Sequence, residues 1–147
     1  MKSQASTLKE MLKVRGYLQE SHKVLLANDP EYLNAYDNLY AYVLKGKKSD
    51  KLPVKFRELV VIGILASKGE YSALELHIKR ALELGTSPLE IIEALEVTMF
   101  YAGAPSLMYG IETLEKVLRD KKLINSETKQ FFVPRSNLKR DDKCEKR

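Results

Sequence analysis

The sequence predicts an all-α fold, a single compact domain of about six helices. Three observations carry that expectation. Apolar residues recur at helical spacing along almost the whole chain, and no stretch sustains strand alternation. Glycine and proline together make up only 12 of 147 residues, which excludes collagen-like and low-complexity chains. With 44% hydrophobic residues, the chain can build a core without metal or disulfide staples.

The first amphipathic segment runs from about Thr7 to Ala27, with Leu8, Met11, Leu12, Leu18, Val24 and Leu25 as candidate inward positions. Asn28-Asp29-Pro30 ends it and starts the next helix, with Asp29 as N-cap and Pro30 at the first helical position. That second helix carries Tyr32, Leu33, Tyr36, Leu39, Tyr40, Val43 and Leu44. Its tyrosines, Tyr32, Tyr36 and Tyr40, are spaced as a core or subunit-contact stripe rather than a ligand box. The basic stretch Lys45 to Lys51 reads as a surface connector. Pro53 then opens a third helix to about Ser67, and Lys68-Gly69-Glu70 breaks it. A fourth helix covers about Ser72 to Leu84, with Gly85 placed as its C′ residue. Ser87 as N-cap, Pro88 at N1 and Glu90 at N3 form a capping box for a fifth helix reaching about Tyr101. After Ala102-Gly103-Ala104, a sixth helix runs from about Pro105 to Lys121. The third, fourth and fifth helices are the most apolar and are expected at the centre or at a subunit contact. Residues 1–134 form the helical domain, and residues 135–147 a charged tail.

Composition excludes several classes of function. One cysteine, Cys144, allows no intramolecular disulfide and no thiolate zinc site. Two histidines, His22 and His77, do not make a His-rich metal centre. The longest apolar run, Leu59 to Ala66, is eight residues, short of the ~20 a spanning helix needs. The first seven residues carry no apolar signal region. A cytoplasmic protein is the expectation, with no membrane partner. The net charge of +5 owes +3 to residues 135–147, which hold six basic and three acidic side chains. Such a tail, without interleaved aromatics, reads as a solvated, disordered end, and nucleic acid is not an expected partner.

No phosphate loop, His-Glu-x-x-His or nucleophile elbow appears. What remains are ionisable residues at apolar positions. Glu58 falls in the stripe of Val54, Val61, Ile62 and Leu65. A carboxylate there needs a partner or a proton, unless it sits at the stripe's edge and pairs with Lys55, Arg57 or another cation. His77 has Ala73, Leu74, Ala81 and Leu84 as helical neighbours. It is either a hydrogen-bonded core histidine or a general acid–base. Glu58 and His77 lie nineteen residues apart on consecutive helices. A hairpin pivoting near Ser67-Lys68 places them at equal depth on facing helices, within reach of a shared hydrogen bond. His22, between Ser21 and Lys23, reads as a surface residue.

The ordered series Arg57-Glu58-Leu59-Val60, Leu76-His77-Ile78-Lys79-Arg80-Ala81-Leu82, Gly85, Ser87-Pro88-Leu89-Glu90-Ile91 and Tyr101-Ala102-Gly103-Ala104-Pro105 resembles the carboxymuconolactone decarboxylase superfamily, which includes alkylhydroperoxidase-D-like proteins. The resemblance spans roughly Leu52 to Leu118. It implies an alkylhydroperoxidase-D-like helical fold and a homo-oligomer, a trimer or hexamer, with sites near subunit contacts.

Redox members carry two cysteines three residues apart, the second four residues before the histidine, and a glutamate one helix earlier. Here the glutamate matches Glu58 and the histidine His77, but the cysteine positions are Glu70 and Ala73. Peroxiredoxin-type chemistry then has no nucleophile, and Cys144 is misplaced to supply one. The chain looks more like the decarboxylase branch, which acts without cofactor on a small carboxylated lactone in aromatic catabolism. By that resemblance His77 is the proton donor and Glu58 its orienting partner. Arg80 or Arg57 would hold a substrate carboxylate, and Tyr101 and the amides around Gly103 would supply oxyanion donors. The alternative is a non-catalytic binding or assembly protein that keeps the helical fold, in which the Glu58–His77 pair is structural.

Overall fold

The computed structural model describes residues 4–45 and 51–121. The tail, the connector after Lys121, Cys144 and the middle of the lysine stretch lie outside the described residues. The described residues form helices joined by short turns, with no strand among them. Seven α-helices follow in order: α1 (Gln4–Arg15), α2 (Glu20–Asn28), α3 (Pro30–Tyr40), α4 (Val54–Lys68), α5 (Tyr71–Glu83), α6 (Pro88–Ala102) and α7 (Ala104–Asp120). A π-helical turn, Ala41–Lys45, extends α3.

The first expected helix is in fact two. Gly16 stands at φ +78°, a left-handed conformation that ends α1 and turns the chain before α2. Leu12 and Val24, expected inward, are exposed, because the break rotates the two halves onto different faces. Later boundaries follow the local chemistry. Asp29 accepts from the Tyr32 amide at 3.0 Å and caps α3, with Pro30 at its start. Gly69 and Gly85, both at positive φ, close α4 and α5. Ser87 and Glu90 cap α6 reciprocally: the Glu90 amide donates to Ser87 Oγ at 3.2 Å, and the Ser87 amide donates to Glu90 Oε2 at 2.7 Å.

The core lies in the second half of the chain. There α4 packs on α5, α6 and α7, while α7 also packs on α5 and α6. Ile62, Ala66, Leu74, Ile78, Ile91 and Leu95 fill its centre, closed from the far side by Leu114, Val117 and Leu118 of α7. Gly110 lets α7 approach α6 closely, since a Cβ there would sit 2.6 Å from Leu95 Cδ2. A smaller core of Met11, Leu26 and Leu33 joins α1, α2 and α3. The expected tyrosine stripe divides: Tyr32 and Tyr36 are exposed, whereas Tyr40 is partly buried.

Candidate functional site

Burial of Glu58 follows from its helix. On α4 the residues one and two turns on are Ile62 and Ala66, both in the core, so a carboxylate on that stripe points inward. On α5 the residues flanking His77 by three or four positions are Leu74 and Ala81, also in the core. The α4–α5 hairpin, turned at Gly69, sets the two side chains level. His77 Nδ1 meets Glu58 Oε2 at 2.8 Å, with Glu58 2% and His77 8% exposed. The carboxylate thus has the partner that its burial demands, and the imidazole is oriented through Nδ1. The reading of Glu58 as an edge residue is set aside.

The other ring nitrogen is also occupied. Tyr17 Oη lies 3.4 Å from His77 Nε2, and the two rings stand edge-to-face with centroids 5.6 Å apart. With Nδ1–H donated to the Glu58 carboxylate, Nε2 is the acceptor and the Tyr17 hydroxyl the donor. Tyr17 comes from the α1–α2 turn, which is fixed from α5. Arg80, one turn beyond His77, reaches the Val14 carbonyl at 3.4 Å and lies 3.9 Å from Glu83 Oε2. Arg80 passes beside Gly16, where a Cβ would lie 3.4 Å from Arg80 Cδ.

Tyr40 lies close enough to Tyr17 for the two phenols to act on one another. Burial holds the Tyr40 phenol well above its ordinary range, and the neighbouring Tyr17 and Glu58 push it further, so it stays protonated. Arg15 lies over Tyr40, its Cζ 3.8 Å from the ring centre, and Arg15 Nε donates to Asp37 Oδ1 at 2.8 Å. Burial works against the Arg15 charge, but its hydrogen bond to Asp37, with the neighbouring Tyr36 and the Asp37 charge, outweighs it and raises its pKa. His22, expected at the surface, is 3% exposed. It sits between Tyr17 and Tyr36, with ring centroids 6.5 and 6.4 Å away, and its Nδ1 accepts from the Gln19 amide at 3.0 Å. Burial and the charge of Arg15 lower its pKa, so it is held neutral.

The remaining expected residues are placed elsewhere. Arg57 donates from Nε to the Leu52 carbonyl at 3.0 Å and from Nη1 to the Val43 carbonyl. Tyr101 is 87% exposed beside Phe100. The Gly103 amide donates to the Met99 carbonyl at 2.8 Å as the chain passes from α6 to α7. Among the described residues neither Tyr101 nor Gly103 hydrogen-bonds to the Glu58–His77 pair. No cluster of residues suited to a metal ion occurs among the described residues. Sequence reasoning missed Arg15, Tyr17 and Tyr40. The available signal was Gly16 between Arg15 and Tyr17, a chain-reversing residue flanked by a cation and a phenol.

The model of the carboxymuconolactone decarboxylase family matches residues 30–116. The chain belongs to that family. Its matched region begins at Pro30, earlier than the resemblance read from Leu52 onward. A relative from Methanocaldococcus jannaschii, the uncharacterized protein MJ1511, is 30% identical over 102 residues, covering 69% of this chain and 92% of that protein. A second from the same organism, the uncharacterized protein MJ0742, is 31% identical over 107 residues, covering 72% of this chain and all of that one. A solved structure from Burkholderia xenovorans LB400, provisionally named a carboxymuconolactone decarboxylase, superposes with a TM-score of 0.69 at 23% identity. That alignment covers 89% of this chain and 100% of the other, and it supports the all-helical fold. No described helix is long and apolar enough to cross a membrane.

Proposed function

We propose that this family member is a cofactor-independent enzyme that transfers a proton on a small carboxylated lactone, with decarboxylation as the overall reaction. The observation that carries the reading is the buried 2.8 Å contact between Glu58 and His77. Loss of carbon dioxide from such a lactone breaks a carbon–carbon bond and leaves its electron pair on a conjugated carbonyl as an enolate. A proton must then return to carbon. His77, protonated on both nitrogens, donates from Nε2, while the Glu58 carboxylate stabilises the imidazolium through Nδ1. Tyr17, on Nε2, must yield that position to the reacting carbon or pass the proton onward.

The second reading is a non-catalytic assembly protein of the same family. The Tyr17 contact favours it, because it covers the nitrogen that chemistry would use. One experiment separates the two. Carbon dioxide release is measured across a panel of carboxylated lactones with the wild-type chain and His77→Gln. Turnover by the wild type that falls at least ~100-fold in the variant supports the enzyme. No turnover on any lactone, together with loss of stability in the variant, supports the assembly protein.

We also infer that the chain works as a homo-oligomer, a trimer or hexamer. Val60, Ile64, Val97, Phe100 and Tyr101 of α4 and α6 are exposed together, an apolar face of the kind that subunits cover. Light scattering should give a mass that is a multiple of 16.8 kDa. Val97→Glu should reduce it to the monomer, and an unchanged multimer would place the contact elsewhere.

A further inference from the structure

A second buried polar cluster lies one phenol away from the Glu58–His77 pair. Its centre is Arg15, 1% exposed and unable to shed its charge. Asp37 takes Nε at 2.8 Å, and the rings of Tyr40 and Tyr36 lie 3.8 and 4.8 Å from Cζ. Arg15 Nη2 is buried as well, yet it has no hydrogen-bond partner among the described residues. Buried donors on a charged group rarely go unmade, because the desolvation then goes uncompensated. An orphaned guanidinium nitrogen in an otherwise satisfied cluster marks the place of an absent acceptor.

The orphan is connected to the candidate site. Arg15 rests on Tyr40, Tyr40 lies close to Tyr17, and Tyr17 meets His77 Nε2. Cation, phenols and imidazole form one line ending at Glu58. Arg15 and Tyr17 both precede Pro30, where the family match begins, so this end of the line is supplied by the chain's own N-terminal segment. Both flank Gly16, and the small α1–α3 core behind them is separate from the main one.

We propose that Arg15 Nη2 and the Tyr17 hydroxyl, its proton turned from His77 Nε2 to the incoming acid, form a carboxylate subsite that seats a small organic acid beside His77. A carboxylate suits the pair better than a phosphate dianion. Asp37 already offsets much of the Arg15 charge, so the cluster can balance about one further negative charge, not two. The subsite deepens the lactone reading, since it names what would hold the substrate's acid group. Its test does not require turnover.

The full chain is titrated with adipate, with the uncharged adipamide and with inorganic phosphate, by calorimetry and by tyrosine emission. The chain has eight tyrosines and no tryptophan, so emission reports on these phenols without a competing indole. Adipate should bind, with adipamide and phosphate at least ~10-fold weaker. Arg15→Lys keeps the charge but loses the planar fork, and should weaken adipate about tenfold. Tyr17→Phe should weaken it about threefold. The wild-type Arg15 Nε–Hε resonance should move on adding adipate, a readout that needs no variant to fold. Adipate failing to bind, adipamide or phosphate binding equally well, Arg15→Lys leaving affinity unchanged, or a stationary Arg15 resonance would each overturn the subsite. Adipate carries no lactone, so Arg15-dependent binding without carbon dioxide release from any lactone would retain the subsite and reject the decarboxylase.

Discussion

Replacing Glu58 by glutamine and by alanine separates the energetic role of the buried pair from its chemical one. Glutamine is nearly isosteric, and its carbonyl oxygen can accept the His77 Nδ1–H that Glu58 Oε2 now takes at 2.8 Å. What is lost is the charge, the difference between a charge-assisted and a neutral hydrogen bond, about 1–2 kcal/mol. Alanine removes the acceptor altogether. It leaves the 8%-exposed His77 without a partner on Nδ1 and opens a cavity under the Ile62 and Ala66 stripe. Those two penalties together amount to about 3–5 kcal/mol. Urea unfolding followed by circular dichroism at 222 nm should therefore rank wild type, Glu58→Gln and Glu58→Ala in that order, with the larger step at alanine. Nitrogen chemical shifts of the His77 ring should show Nδ1 protonated in the wild type and in the glutamine variant. If both variants unfold within ~0.5 kcal/mol of the wild type, the contact contributes nothing to folding and the buried carboxylate must be satisfied in another way. If Nδ1 carries no proton in the wild type, the imidazole points its lone pair at Glu58 and the proposed donor geometry is wrong.

Three further perturbations test the packing and the electrostatics. Gly110→Ala gains about 1 kcal/mol of helix propensity but drives a Cβ to 2.6 and 3.0 Å from the Leu95 methyls. Leu95 is fully buried, so overpacking of about 1–3 kcal/mol should win, and thermal unfolding should show a lower Tm unless Leu95→Val relieves the clash. Ser87→Ala removes the oxygen that accepts from the Glu90 amide and should cost about 1 kcal/mol in urea unfolding. His22 has its pKa lowered below 6.5 in the fold, so the unfolded chain binds the proton first as pH falls. Its contribution is complete above pH 6.5 and is lost as pH drops towards the folded value, and the slope of unfolding free energy between pH 7 and 5 should flatten in His22→Gln.

Local chemistry made most of the fold legible. Pro30, Gly69, Gly85 and the Ser87–Glu90 box act within one turn of themselves, and their helices begin and end within a residue or two of the expected positions. Where the signal was tertiary, local reading misplaced residues. The stretch Thr7–Ala27 looks like one helix because Gly16 is tolerated within helical periodicity at a cost of only ~1 kcal/mol. Only the tertiary setting shows why the chain turns there, since a Cβ at Gly16 would lie 3.4 Å from Arg80 Cδ and from Glu83 Oε2 of α5. His22 looks exposed beside Ser21 and Lys23, but burial on a helix is set by residues three and four away. Leu26, four residues on, is in the small core and carries His22 inward with it.

The same distinction explains the candidate site. Glu58 and His77 were readable because each breaks an apolar stripe on its own helix, and one short hairpin brings the two together. Arg15 and Tyr17 break no stripe that periodicity could expose, and sixty residues separate Tyr17 from the imidazole it meets. Their placement depends on Arg80, whose own sequence position suggested a ligand contact but whose guanidinium reaches the Val14 carbonyl. Loosening that anchor distinguishes a turn that positions Tyr17 from one that merely touches it. Arg80→Met keeps the stem packed on Gly16 and removes only the donors to Val14 and the proximity to Glu83. Stability should fall by about 0.5–1.5 kcal/mol, the worth of one partly buried hydrogen bond. The edge-to-face contact between Tyr17 and His77 should loosen with it, seen as weaker nuclear Overhauser effects between the two rings. Undiminished ring contacts in Arg80→Met would mean that Tyr17 is held by Tyr40 and His77 alone, and the α1–α2 turn would then owe its place to the small core of Met11, Leu26 and Leu33.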